Sequence, residues 1–294
     1  MMANEAATSE PHRTGSAPDP DNVLTQLMAK AKELTRPLIM GVLNVTPDSF
    51  SDGGQFLQPR SAIEHARRLA AEGADIIDIG AESTRPYGGM RPVALEEERA
   101  RLEPVLPAVA GIGIPVSIDT FKANVAAWAL EAGAGIVNDV WGLQRDPDMA
   151  RAIAERGAPV VIMHNRETAD PNIDIIAEVD EFFSRSLEIA WTAGIARDRI
   201  VLDPGIGFGK TPEQSMLCIA KLETFRSFGL PLLVGASRKR FIASVVPAEP
   251  TERLGGSLAA HLIAAENGAA IIRAHDVAPT LQAFAVAAAI RRLR

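Results

Sequence analysis

Eight short runs of Val, Ile and Leu recur along the chain, at residues 38–45, 75–79, 115–119, 135–139, 159–164, 199–203, 231–236 and 270–273. Each is four to eight residues long, as expected of strands buried on both faces of a parallel sheet. Longer amphipathic segments separate them, such as 60–72, 123–132, 173–193, 213–228 and 251–267. Six glycines, Gly73, Gly133, Gly157, Gly194, Gly229 and Gly268, stand where a helical pattern gives way to the next apolar run, the position of a left-handed helix stop. Repetition of strand and helix over residues 36–294 predicts an α/β chain folded as a single (β/α)8 barrel. A doubly wound open sheet is the alternative, but it needs a G-x-G-x-x-G turn after its first strand. The glycine-rich segment here, Gly205-Ile206-Gly207-Phe208-Gly209, follows the sixth run instead.

Residues 1–22 lack Val, Ile, Leu and aromatics until the apolar pattern begins, so they are expected to form a disordered tail. Leu24, Leu27, Met28, Ala31 and Leu34 then fall at helical spacing, predicting a helix over 23–35 ahead of Pro37.

In such a barrel, the carboxyl ends of the strands converge on one mouth, and chemistry is placed there. The expected strand ends carry Asn44, Asp78, Asp119, Asn138 with Asp139, His164 with Asn165, Asp203, Ser237 with Arg238 and Lys239, and Arg273 with His275 and Asp276. Taken singly, an Asp or Asn at a strand end can simply cap the next helix, and Asp139 and His164 read more readily as structural. Taken together, Asp119, Asp203 and the amide of Asn138 suit a ring with adjacent N–H donors, because carboxylates accept paired N–H bonds. Arg273, His275, Arg85 and Lys239 offer cationic donors for phosphate oxygens. Asn44 offers a neutral oxygen for a hydrated Mg²⁺ bridging phosphates.

Other chemistries find no support. The sequence has no H-E-x-x-H, no Cys/His cluster and no G-x-S-x-G. Gly209-Lys210-Thr211 imitates the end of a phosphate-binding P-loop without its preceding four-residue gap, and the glycines there read as room for a ligand beside Phe208. The net charge of -7 disfavours binding to nucleic acid or to an anionic membrane. No apolar run is long enough for a membrane span, and the amino terminus lacks a signal-peptide pattern. A lone cysteine, Cys218, fits a reducing cytoplasmic setting.

Several of these segments resemble the signatures of the dihydropteroate synthase family. They are the run 41–54 (GVLNVTPDSFSDGG), Glu82-Ser83-Thr84-Arg85-Pro86, Val116-Ser117-Ile118-Asp119-Thr120, Val137-Asn138-Asp139, the run 202–210, Gly235-Ala236-Ser237-Arg238-Lys239-Arg240 and Arg273-Ala274-His275-Asp276. The resemblance implies a pterin-binding (β/α)8 barrel, commonly dimeric. The implied reaction joins a 7,8-dihydropterin methyl group, supplied as its pyrophosphate ester, to the amine of 4-aminobenzoate. On that resemblance Asp119, Asn138, Asp203 and Lys239 hold the pterin, and Asn44, Thr84, Arg85, Arg273 and His275 the pyrophosphate, with Mg²⁺ at Asn44. Phe50, Pro86, Phe208, Ser237 and Lys239 shape the aminobenzoate pocket that sulfonamides occupy. Asp119, Asp203, Lys239, Arg273 and His275 carry the chemistry.

The sequence departs from the family after Pro86, where Tyr87-Gly88-Gly89-Met90 follows, and around His164-Asn165-Arg166. Two rival readings share part of the pattern. A noncatalytic pterin-binding paralogue would show damaged loop signatures, and a methyltetrahydrofolate–corrinoid methyltransferase would have no use for the cations at Lys239 and Arg273.

Overall fold

A computed structural model describes residues 21–46, 57–82 and 93–293. The predicted tail therefore lies, up to residue 20, outside the described residues. The chain alternates strand and helix throughout. Helix α1 (Val23–Leu34) precedes β1 (Leu38–Asn44), α2 (Leu57–Ala71) and β2 (Ile76–Gly80). Helices α3 (Leu95–Leu102) and α4 (Leu106–Ala110) lead to β3 (Val116–Asp119), α5 (Ala123–Glu131), β4 (Ile136–Asp139), α6 (Met149–Ala154) and β5 (Val160–Met163). Then come α7 (Ile175–Thr192), β6 (Ile200–Asp203), α8 (Pro212–Ala220), β7 (Leu233–Val234), α9 (Arg240–Val245), α10 (Leu254–Glu266), β8 (Ile271–Ala274) and α11 (Val277–Arg291).

All neighbouring strands pair in parallel, in the order β6-β5-β4-β3-β2-β1-β8-β7. A parallel bridge between Leu202 and Leu232 joins the two outer strands and closes the barrel. The eight predicted runs are the eight strands. Strand β7 is shorter than its run because Pro231 has no N–H to give the ladder, although its carbonyl still accepts from Leu202 N at 2.9 Å. The six predicted helix stops all have positive φ, from 58° at Gly157 to 111° at Gly133. The run 213–228 divides: α8 ends at Ala220, and a tighter turn at Leu222–Phe228 follows. That turn brings Phe225 and Phe228 edge-on to Phe183, at 5.6 and 5.8 Å between ring centroids.

Period-two alternation sorts the strand side chains. Ile39, Leu43, Ile77, Ile79, Ile118, Val137, Val160, Ile162, Leu202, Val234 and Ile272 pack outward against the helices in the main core. Leu38, Met40, Ile76, Ile136, Val161, Val201, Leu233 and Ile271 point inward and form a separate apolar floor. Helix α1 seals that floor with Leu24 and Leu27. Its start is capped by Asn22, whose side chain accepts from Leu24 N at 3.0 Å, and Thr35 in the left-handed conformation ends it. Asp75 ties this end together, accepting from Lys30 (2.7 Å), Arg36 (2.8 Å) and Ile39 N (2.9 Å). Burial alone would raise the pKa of Asp75, but the Arg36 and Lys30 donors outweigh it and hold the carboxyl below its usual range.

With the floor filled by apolar side chains, the polar cleft of the barrel interior lies at the carboxyl ends of the strands. Truncating the plug tests this division. Leu27→Ala should cost about 2–5 kcal/mol of unfolding free energy, read by urea denaturation, while leaving ligand binding at the opposite end within twofold.

Candidate active site

Above the apolar floor the inward positions change character. A narrow cleft, partly open at the mouth, is lined by Asp119, Asn138, Val140, Met163, Asp203, Ile206, Phe208, Gly235, Lys239 and Arg273. The carboxyl ends of β3, β4, β6 and β8 and the loop after β7 supply the polar members, and register places Asp119 beside both Gly80 and Asn138. A Cβ at Gly80 would sit 3.2 Å from that of Asp119, so the glycine leaves the carboxylate its room.

Burial dominates the electrostatics. Asp203 Oδ1 accepts from Gly205 N at 2.7 Å. Its pKa is pushed up to about 6 by burial, against the pull of the Gly205 amide and the Lys239 charge. Burial also raises Asp119, partly offset by Arg273, whose Nη2 donates to Asp119 Oδ2 at 2.9 Å. Asn138 Nδ2 donates to Asp78 Oδ2 at 3.1 Å, and Arg273 Nε donates to the same oxygen at 2.6 Å. On the opposite wall, Lys239 Nζ lies 4.0 Å from the centre of the Phe208 ring, a cation–π contact.

The rim pairs Ser237 with His275. Ser237 Oγ accepts from His275 N at 3.2 Å and lies 3.1 Å from its Nδ1. His275 differs from its expected role as a cationic donor: burial, then the charges of Arg273, Arg238 and Lys239, push its pKa down to about 3, so the imidazole is neutral near pH 7. Arg273 lines the cleft and bonds both Asp78 and Asp119. Arg238, at φ 57°, turns away to pair with Asp276 at 2.6 and 2.9 Å. Asn44 stands half-buried at the end of β1.

Other expected groups prove structural. Asp139 faces outward and accepts from Trp141 N (2.9 Å) and Leu143 N (2.7 Å). His164 is fully buried, and its Nδ1 lies 2.6 Å from Lys210 Nζ. Lys210 also donates to Gly205 O (3.0 Å) and Phe208 O (3.2 Å). The glycine-rich segment is therefore wrapped round a buried ammonium. Its glycines serve close packing: a Cβ on Gly205 would fall 1.9 Å from His164 O, and one on Gly209 2.4 Å from Arg166 Cβ. Sequence reading missed this role of Lys210; the apolar residues around Gly205 and Cys218 were the available signal that a lysine there is buried. Asp78 was noted only as a strand end, yet it binds two of the cleft's side chains. Phe50, Thr84, Arg85, Pro86 and Tyr87 lie outside the described residues. Glu82 Oε1 accepts from Val93 N at 3.1 Å, and Lys122 pairs with both Glu82 and Glu98.

Comparison with known proteins gives this cleft its relatives. The family described as pterin binding enzyme matches residues 40–275. The dihydropteroate synthase of Bacillus subtilis is 45% identical over 243 residues, covering 82% of this chain and 84% of that protein. Among solved structures, the dihydropteroate synthase of Clostridium difficile in the presence of pteroic acid superposes with a TM-score of 0.83 at 46% identity, covering 87% of this chain and 97% of the other. The Xanthomonas albilineans dihydropteroate synthase with 4-aminobenzoic acid gives 0.84 at 45% identity, covering 88% and 94%. Likeness of this extent, over most of the chain and over the whole barrel, shows that the chain belongs to the dihydropteroate synthase family of pterin-binding enzymes.

Proposed function

We propose that this chain is a transferase of folate biosynthesis. It moves the 7,8-dihydropterin-6-ylmethyl group from its pyrophosphate ester to the amine of 4-aminobenzoate, releasing pyrophosphate. The observation that carries the reading is the set of buried acceptors at the carboxyl ends of β3, β4 and β6, Asp119, Asn138 and Asp203, lining one cleft with Lys239. Such a set matches a flat ring rich in N–H donors. The relatives crystallised in the presence of pteroic acid, which joins both halves of the product, and with 4-aminobenzoic acid, one of the two substrates, support the reading.

In this reading the methylene–oxygen bond breaks first, and pyrophosphate leaves with the electron pair. Positive charge is left on the pterin methylene, and the fixed carboxylates of Asp119 and Asp203 stabilise it. The aromatic amine then forms the carbon–nitrogen bond and gives up a proton to solvent, with no covalent enzyme intermediate. Lys239 and Arg273 supply charge to the phosphate end. Neutral His275, steadied by Ser237, donates a hydrogen bond without the cost of keeping a second buried cation. Phe208, Ser237 and Lys239 serve the aminobenzoate; the resemblance adds Phe50 and Pro86 to that role and gives Thr84 and Arg85 to the pyrophosphate, all four outside the described residues.

The donor set also fits Mg²⁺ carried by the substrate. Among the described residues no cluster of three or more His, Cys, Asp or Glu could hold a metal, but Mg²⁺ bound through phosphate oxygens and water needs only one or two protein oxygens. The half-buried amide oxygen of Asn44 at the mouth is such a ligand. Bound there, the ion supplies positive charge to the leaving pyrophosphate.

Two further parts of the reading concern the whole molecule. Among the described residues no helix is long and apolar enough to cross a membrane, and the one cysteine is buried and free; both suit a cytoplasmic enzyme. Helices α10 and α11 leave Ile263, Val286 and Ile290 about half exposed, and an apolar face of that kind supports a homodimer. Sedimentation should give twice the 31.3 kDa chain mass, with Ile290→Glu shifting the protein toward monomer.

The test of the reaction is direct: the chain, the dihydropterin pyrophosphate, Mg²⁺ and 4-aminobenzoate should yield pyrophosphate and dihydropteroate in equal amounts. Because burial pushes Asp203 up to about 6 and raises Asp119 as well, and both work ionised, kcat/KM for the pterin substrate should rise with pH through about 6 and level off only once both carboxyls are ionised. Asp203→Asn still accepts from Gly205 N and should fold, yet should lose about 10²–10³ in kcat/KM together with the Asp203 part of this acid limb. Near-normal activity in the variant would sink the carboxylate assignment, and pyrophosphate release without condensation would indict the aminobenzoate wall.

A further inference from the structure

Four buried side-chain oxygens in the middle layer of the barrel have no hydrogen-bond partner among the described residues: Asp78 Oδ1, Ser117 Oγ, Asp119 Oδ1 and Asn138 Oδ1. They lie on three consecutive strands, β2, β3 and β4, with Asp78 in register with Ser117 and Asp119 in register with Asn138. Buried oxygens left unpaired at this density mark a place that a ligand completes. Which kind of ligand group completes it depends on how the Asn138 amide is turned, since an amide presents a donor on one side and an acceptor on the other.

Asp78 decides that question. Its side chain is fully buried and paired with Arg273, and its Oδ2 receives both Arg273 Nε–H and Asn138 Nδ2–H, at 2.6 and 3.1 Å. A carboxylate can only accept, so the amide nitrogen of Asn138 must face Asp78 and its oxygen must face away, into the cleft. The same carboxylate orients the guanidinium whose other arm holds Asp119 Oδ2. One residue on β2 thereby sets the hydrogen-bonding polarity of two neighbours on β4 and β8 and, through Arg273, steadies a third on β3.

We propose that Asp78 is a positioning residue for pterin recognition: it fixes Asn138 as an acceptor beside Asp119 and so makes the cleft selective for a ring edge that presents two adjacent N–H donors. Asp78 does not itself touch the reacting atoms. The inference rests on the proposed reaction only for the identity of the ring.

Asp78→Asn keeps the shape and removes the charge and the obligatory acceptor. In the full-length protein the KM for the dihydropterin pyrophosphate should rise at least tenfold while the KM for 4-aminobenzoate stays within twofold. The acid limb of kcat/KM should also move. Asp119 is faced by Arg273, Asp78, Glu98 and Lys239; losing the negative charge of Asp78 leaves Arg273 to favour the Asp119 carboxylate, which displaces its part of the limb to lower pH. A variant with a lower Tm but unchanged KM values and pH profile would overturn the proposal, because that is the behaviour of a residue needed only for folding. Equal loss for both substrates would overturn it too.

A second measurement needs no variant. With ¹⁵N-asparagine labelling, the Asn138 side-chain N–H pair should exchange slowly in the free protein and keep its shift toward a carboxylate partner when dihydropterin is added. A flip of that amide on binding contradicts the assignment. If the unmodified chain binds dihydropterin but does not condense it with 4-aminobenzoate, the reaction reading fails and the amide measurement still decides the role of Asp78.

Discussion

Closure of a parallel barrel imposes one constraint from which the other features of this protein descend: every second strand residue must enter a common interior. That interior has two ends of opposite chemistry. At the amino end of the strands it is filled by aliphatic side chains and sealed by Leu24 and Leu27 of α1. At the carboxyl end the same inward positions become Asp78, Asp119, Asn138, Asp203 and Arg273. A short strand of four residues offers only two inward positions, so one step along β4, β6 or β8 carries the chain from floor to cleft.

Placing these carboxylates on a dry floor has electrostatic consequences. Asp119 and Asp203 are pushed toward neutrality by desolvation, and they are held near ionisation by Arg273 and Lys239. Arg273 pairs with Asp78 and Asp119 in the barrel interior, where removing one partner of such a set would leave another charge uncompensated. His275 yields to the same field by staying neutral. Lys210, although fully buried, meets three acceptors at 2.6–3.2 Å and anchors the loop that carries Phe208. Catalytic and architectural charges are thus distinguished by direction: the former face the cleft, and the latter face backbone carbonyls or each other.

The barrel was legible because two local signals repeat in phase. Eight β-rich runs and six left-handed glycine stops each report backbone conformation directly, and neither needs tertiary knowledge. The strand-end residues Asp119, Asn138, Asp203, Lys239 and Arg273 were legible for the same reason, since position along a parallel strand already states which mouth a side chain approaches. Orientation across the strand was less accessible. Asp139 follows Asn138 by one residue, and period two turns it outward to cap the next turn. The polarity of Asn138 and the inward reach of Arg273 depend on Asp78, distant by 60 and 195 residues.

By itself, then, the sequence determined the fold class, the end of the barrel where chemistry gathers, and the family, because these rest on periodicity, glycine conformations and contiguous motifs. Tertiary structure alone decided which of the gathered groups face one another: Asp78 with Asn138 and Arg273, Lys210 with His164, Ser237 with His275. Those pairings are set by closure of the sheet and by the burial that follows from it. The physical reason is that hydrogen-bond direction and desolvation depend on neighbours in space, and no local pattern along the chain records them.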